Sequence, residues 1–322
     1  MTGGQAYIYL ESFLVPLAPY LERPDVTDIW CNAPGEVWLE RIDGQLEHHV
    51  EPLLTTALLA RLARQIAAYS AQGISREHPL IAAALPDGSR VQLVLPPATR
   101  GQIAIAIRKH HSVQVSLEAW RSSGLLAGHG KTVIDPKPDT SDYPAFLRWA
   151  VRNRKTIMVS GGTSSGKTTL LNALIAEIDR SERLVFIEDT PELTLERSNA
   201  VGLLAIRDGQ GEAQVSAEDL LIASLRLRPD RIILGEIRGG EAFTFLRAIN
   251  TGHPGSLTTI HANTPQSALD QLAMLALQGN SGMTWDMVER MARATIDLIV
   301  QVEREAMGGG SSKFMKAAHE RR

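Results

Sequence analysis

Cysteine is almost absent: Cys31 is the only one among 322 residues. No intramolecular disulfide can form, and no cysteine-rich zinc site can be built. That usage fits a reducing compartment. Long apolar runs are missing too. None approaches the ~20 residues that cross a bilayer as a helix, so any membrane contact is expected to be peripheral or through a partner. The N-terminus lacks a basic segment followed by an apolar core, so no secretory signal is expected. An excess of one charge is also lacking, since 33 Lys and Arg face 36 Asp and Glu, for a net charge of −3. That balance excludes wrapping of nucleic acid by global basicity, although not a local basic patch. Internal repeats are not found. What remains is an ordinary globular composition at a length that suggests about two domains.

One stretch carries chemistry at once. Gly161-Gly162-Thr163-Ser164-Ser165-Gly166-Lys167-Thr168 matches G-x-x-x-x-G-K-[ST], the phosphate-binding loop. Its surroundings suit that reading. Thr156-Ile157-Met158-Val159 precedes it as a buried strand, and Thr169–Ile175 follows as a helix start. Glycines let backbone N–H groups turn inward around phosphates, and the helix N-terminus adds partial positive charge. Lys167 is expected to reach the β- and γ-phosphates, and Thr168 to ligate Mg²⁺.

Around this loop the chain divides. Residues 5–22 carry Tyr7, Leu10, Phe13, Leu14 and Leu17 at roughly helical spacing. Such a face can touch lipid, but a core face is expected. Val26–Cys31 and Glu36–Arg41 read as strands, Leu53–Ser70 as a helix, and Val91–Leu95 and Gln102–Arg108 as strands. These make a mixed α+β unit ending near residue 115. Leu117–Leu126 reads as a helix. Gly128, Gly130, Pro136 and Pro138 mark 127–142 as a linker. From Tyr143 helices and strands alternate, which implies a mostly parallel sheet with helices on both faces. The expected organisation is an N-terminal domain at 1–126, the linker at 127–142, a nucleotide-binding domain at 143–306, and a flexible tail at 307–322.

Three strand ends point at chemistry, because ligands of open α/β sheets bind beyond the carboxyl ends of the strands. Leu184–Ile187 ends in Glu188-Asp189, and Glu188 is expected to order Mg²⁺ or its water. Arg231–Gly235 ends in Glu236. This strand is expected beside the phosphate-loop strand, with Glu236 as the base that polarises the attacking water. Residues 256–260 end in His261, where an imidazole can sense the γ-phosphate. His253, in a Gly/Pro turn, is a weaker candidate. Phosphoryl transfer also needs positive charge beyond Lys167 and the metal. Arg226, Arg228, Arg207, Arg90 and Arg108 are the candidates, and each can equally be a solvated surface residue.

Together these motifs resemble a known family. Gly161–Thr169, Leu184–Leu193, Arg228–Ala242 and Thr251–Asn263 look like the Walker A, Asp, Walker B and His boxes of the secretion-superfamily ATPases, in order and at family-like spacing. Arg228-Pro229-Asp230-Arg231-Ile232 and Gly235-Glu236-Ile237-Arg238-Gly239-Gly240-Glu241-Ala242 resemble the type IV secretion and conjugative-transfer branch. Type II and retraction motors more often carry Arg-Asp where this chain has Arg238-Gly239, and type II motors often carry a four-cysteine zinc module. Asp25–Ile29, Asn32–Trp38 and Leu85–Arg90 are similar to that branch's N-terminal domain.

The resemblance covers roughly residues 10–303. It implies an α/β fold with a RecA-like P-loop NTPase domain, preceded by a smaller α+β domain. It also implies a homo-hexameric ring, hydrolysis of ATP to ADP with Mg²⁺, and residence at the cytoplasmic face of a bacterial inner membrane. Other secretion ATPases and inner-membrane components are the implied partners. Nucleotide is expected to contact residues 161–169, with N-terminal arginines near the phosphates. Arg108 in Ile105–Lys109 matches that arginine motif well, and Arg90 less closely. Arg226 matches an arginine that acts on a neighbouring or closing site, and Arg207 is a weaker match. Family members usually end in a final strand, where this chain has a Gly/Ser stretch. Two other readings stay open: a tight-adherence or type IV pilus motor, and a nucleotide-gated assembly hub. A helicase is disfavoured, because no base-stacking motif is visible. Whether DNA or protein is the cargo is not encoded in these motifs.

Overall fold

The computed structural model describes residues 3–110, 137–206, 211–279, 282–307 and 310–320, with side chains from 9 to 303 within those ranges. The helix expected at 117–126, most of the linker and Arg207 lie outside the described residues.

The first domain opens with α1 (Gly3–Leu14), a 3₁₀ turn (Val15–Leu17) and α2 (Ala18–Leu21). Strands β1 (Val26–Cys31), β2 (Glu36–Arg41) and β3 (Leu46–Val50) follow, then α3 (Thr56–Tyr69), β4 (Leu80–Ala84), β5 (Arg90–Val94) and β6 (Ala104–Arg108). Six antiparallel strands run in the order β3-β2-β1-β6-β5-β4. Strand periodicity explains the sheet's two faces. In Ile103-Ala104-Ile105-Ala106-Ile107 the isoleucines enter the domain's own core, with Leu59, Leu62 and Ile66 of α3. The alanines face the second domain's core, together with Trp30. Both faces are therefore covered, and the small side chains allow close approach.

The second domain contains α4 (Tyr143–Arg152), β7 (Ile157–Gly161), α5 (Lys167–Ala176), β8 (Leu184–Glu188), β9 (Ala200–Leu204) and α6 (Ala217–Ser224). It continues with β10 (Arg231–Ile237), α7 (Glu241–Asn250), β11 (Leu257–Ile260), α8 (Pro265–Gly279), α9 (Trp285–Thr295), β12 (Leu298–Met307) and β13 (Gly310–Glu320). The sheet runs β13-β12-β7-β11-β10-β8-β9. Its pairings are parallel except the last hairpin, β12–β13. Alternate residues of β7 feed opposite cores: Ile157 and Val159 pack with α4 and α5, while Met158 packs with α7, α8 and α9.

Several expectations are corrected. The Glu236 strand is not beside the phosphate-loop strand, because β11 pairs with both β7 and β10 and separates them. The stretch after Met307 is not a free tail: residues 310–320 pair antiparallel with β12. Strands β3, β4 and β9 were not expected. Leu46-Glu47-His48-His49-Val50 is polar with no buried residue, Leu80–Ala84 is alanine-rich, and Ala200-Val201-Gly202-Leu203-Leu204 carries a glycine. None shows the bulky β-branched run that marks a strand.

The two domains are joined by a polar frame. Arg183 is buried and stacks over Trp30 at 4.7 Å. Its Nη1 donates to Asn32 Oδ1 at 2.8 Å and to Asn199 Oδ1 at 2.6 Å. Arg228 pairs with Glu40 at 3.1 Å, and the Gln214 N–H donates to the Glu77 carbonyl at 2.9 Å.

Candidate nucleotide site

The parallel sheet places β7, β11, β10 and β8 side by side, so their carboxyl ends form one wall. Gly166 adopts φ +101° as it enters α5, a left-handed conformation that suits glycine. This turn brings Lys167 onto the first helical turn, where the side chain is largely buried. Its Nζ donates to the Gly161 and Gly162 carbonyls, both at 3.0 Å. Thr168 follows on the same turn, with its hydroxyl 3.3 Å from Glu192 Oε2.

A cavity of about 360 Å³ opens here, lined by Thr163, Ser164, Lys167, Thr168, Glu188, Glu236 and His261 among others. Sequence reasoning chose these residues from separate motifs, and the fold brings them together. His261 Nε2 lies 2.7 Å from Glu236 Oε1. Lys167 Nζ lies 3.3 Å from His261 Nδ1. Burial, reinforced by the Lys167 ammonium, lowers the His261 pKa from its ordinary range. A neutral ring suits these neighbours: the short contact assigns an Nε2–H to Glu236, while Lys167 Nζ lies almost equally far from both ring nitrogens, 3.4 Å from Nε2 as well. Burial also lowers the Lys167 pKa, and the Glu236 carboxylate opposes that shift.

Glu188 is in the cleft wall, but its carboxylate is engaged. Oε1 accepts from the Glu192 and Leu193 N–H groups at 2.9 and 2.8 Å. The carboxylate also pairs with Arg100. Glu188 therefore holds the loop that follows it, whereas a carboxylate free to order a metal was expected. Gly161, Gly162, Ser165, Gly166 and Thr169 fall on the loop and helix as anticipated.

The arginines are distributed differently. Arg90, Arg108 and Arg226 are exposed and line a second cavity of about 510 Å³ with Asp28 and Arg228. This cavity shares no lining residue with the Lys167 cavity. Arg90 and Arg108 are partners across β5 and β6, and Asp28 faces Arg108 across β1 and β6. Burial raises the Asp28 pKa against the pull of Arg108 and Arg228. His253 sits elsewhere again, its ring 3.0 Å from the Pro229 carbonyl.

Three residues at the cleft were missed. Arg238 pairs with Glu236 and with Asp189, the latter at 3.1 Å. Glu192 faces Thr168, and Arg100 reaches Glu188 from the first domain. Arg238 and Glu192 lie inside recognised motifs and were legible by proximity. Arg100 lies in a Pro-Pro-Ala-Thr-Arg-Gly loop with no local signal.

The donor set fits a nucleotide triphosphate with a divalent cation. Among the described residues no group of three or more His, Cys, Asp and Glu could hold a metal alone. Mg²⁺ commonly takes few protein ligands and completes its shell with phosphate oxygens and water, so one hydroxyl at Thr168 suffices.

Comparison with known proteins supplies the family. The family model described as "Type II/IV secretion system protein" matches residues 14–308. The chain belongs to this family. It is 38% identical over 314 residues to the type IV secretion system protein VirB11 of Bartonella quintana, covering 90% of this chain and 88% of that protein. It is 39% identical over 319 residues to the type IV secretion system protein PtlH of Bordetella pertussis, covering 94% and 92%. A crystal structure of the VirB11 ATPase from the Brucella suis type IV secretion system, in complex with sulphate, superposes with a TM-score of 0.88 at 34% identity. That match covers 98% of this chain and 96% of the other. The fold class is thereby established: a RecA-like P-loop domain preceded by a smaller α+β domain.

Proposed function

We propose that this chain hydrolyses ATP to ADP and phosphate and so powers a type IV secretion or conjugative-transfer machine. One observation carries the chemistry: Lys167, His261 and Glu236, from three separate motifs, meet in the lining of one cavity, with His261 against both of the others. The relatives support the biological setting. The cleft residues divide the work as follows. The α5 N-terminus and Lys167 hold the phosphates, Lys167 exchanging its loop carbonyls for phosphate oxygens. Thr168 would hold Mg²⁺, which supplies charge neutralisation between the phosphates when bound. Glu236 accepts the proton of the attacking water, and His261 orients Glu236 while reporting on Lys167. Glu188 acts on the metal side indirectly, through the loop it holds.

Arg90, Arg108 and Arg226 line a cavity apart from this chain's own phosphate loop. That supports a ring, of six copies in our reading, in which these arginines approach the nucleotide of a neighbouring copy. No helix among the described residues is long and apolar enough to cross a membrane. We place the ring peripherally at the cytoplasmic face of the inner membrane, against other secretion ATPases and membrane components. Replacing the native copy by Lys167→Ala tests the reading. Substrate transfer should stop while the protein accumulates normally; transfer at the wild-type level would sink it.

A further inference from the structure

We propose that Arg100 is a positioning residue, through which the first domain sets the metal-side wall of the cleft. The inference rests on the ATPase reading above. Its backbone is fixed first. The loop between β5 and β6 anneals to the edge strand β9: Leu204 N–H donates to the Ala98 carbonyl at 3.0 Å, and Arg100 N–H to the Gly202 carbonyl at 2.9 Å. A β-bridge joins Thr99 and Leu203. The Arg100 side chain then crosses directly over Gly202. A Cβ at Gly202 would fall 2.6 Å from Arg100 Cδ, so only glycine leaves this passage open.

The guanidinium ends in a buried position, 13% exposed, against a Glu188 side chain that is 3% exposed. Its Nη1 also donates to the Leu193 carbonyl at 2.7 Å. Glu188 in turn accepts from the amides of Glu192 and Leu193. The segment 189–193 is thus held at two amides and one carbonyl by a single ion pair between domains. Glu192, on that segment, accepts the Thr168 hydroxyl, and Thr168 is the residue proposed to ligate Mg²⁺. Four links therefore connect the first domain to the metal position: Arg100, Glu188, the loop, and Glu192 against Thr168. A planar fork with two fixed acceptors transmits orientation, which a lysine point charge does not. A buried pair cannot part without leaving an uncompensated charge. Any movement of the first domain against β9 is consequently felt at Thr168.

Hydrogen exchange and turnover in the full chain test this together. Arg100→Lys keeps the charge and loses the fork. It should speed exchange at the Leu193 amide about tenfold or more, since that amide donates to Glu188; the Glu192 amide, which also donates to the Thr190 carbonyl at 2.9 Å, should respond less. It should also raise the Mg²⁺ needed for half-maximal turnover by about 10-fold or more, as loss of outer-shell partners does. ADP binding without Mg²⁺ should be unchanged. Gly202→Ala, which displaces the same side chain without altering charge, should reproduce the exchange effect even if Arg100→Lys fails to fold. Unchanged exchange and unchanged Mg²⁺ dependence would overturn the proposal, as would an equal loss of Mg²⁺-free ADP binding. A wild-type chain without ATPase activity would instead overturn the underlying reading, and the exchange data would still decide the clamp.

Discussion

Glu236→Gln separates binding from chemistry more cleanly than any other single change in this cleft. The amide keeps the shape of the carboxylate and leaves an oxygen to accept from His261 Nε2, 2.7 Å away. The other oxygen loses its ion pair with Arg238, whose side chain is 48% exposed. The Glu236 side chain is 14% exposed but its partner is half in solvent, and the isosteric amide keeps the packing, so folding stability should change by no more than about 1 kcal/mol. Nucleotide binding should not weaken, because a negative charge beside the phosphates has been removed. Turnover should fall by about 10²–10⁴, the usual worth of a positioned base, equivalent to ~2.7–5.4 kcal/mol of barrier. Titration with a fluorescent ATP analogue reports affinity, and single-turnover phosphate release reports chemistry. Turnover within about threefold of wild type, or affinity falling by the same factor as turnover, would refute the base assignment.

Three further outcomes follow from the same geometry. Lys167→Ala and Arg108→Ala should each be inactive alone, yet a reassembled equimolar mixture should recover about a quarter of the wild-type rate if Arg108 serves a neighbour's site; no recovery would place Arg108 within its own chain's site, and an active Arg108→Ala chain would place it outside the chemistry. His261 has a lowered pKa, so it stays neutral through pH 7 and protonates only below its ordinary value of 6.5. Protonation sets a second cation beside Lys167, so kcat/KM, which reports the nucleotide-free chain, should fall as pH drops through that lowered value; an acid limb in kcat/KM centred at or above 6.5, or one that persists in His261→Gln, contradicts the neutral-ring reading. Trp30 is 2% exposed, between the second domain's core and Arg183; Trp30→Ala should cost about 3–5 kcal/mol in denaturant unfolding, and a cost under ~1 kcal/mol would mean the domains are not packed through it.

How far the sequence foretold this arrangement depends on where each signal lies. The phosphate loop was fully legible because its chemistry is local: Gly166 and Lys167 do their work within a few residues of each other. Glu236 and His261 were legible as strand ends, since a parallel sheet gathers such ends at one edge. Their order across the sheet was not, because β11 enters between β7 and β10 through pairing that no local pattern encodes. Glu188 illustrates a different limit. Its position was foreseen, but its partner Arg100 comes from the first domain, and the bend that turns the 192–193 amides back onto it carries no local signal. Arg90 and Arg108 were foreseen as a motif and do lie together, yet only the packing reveals that they face a cavity of their own. Strand β13 was hidden for a physical reason too, since Gly and Ser at its start suppress strand propensity while the β12 edge supplies the partner.

Steady-state phosphate release by the purified chain decides whether the Lys167 cleft hydrolyses ATP. Release should require Mg²⁺, and Lys167→Ala should abolish it while the circular dichroism spectrum and melting curve stay those of the wild type. A wild-type chain that releases no phosphate from Mg²⁺–ATP under any assembly state, or a Lys167→Ala variant that hydrolyses at the wild-type rate, would contradict the account.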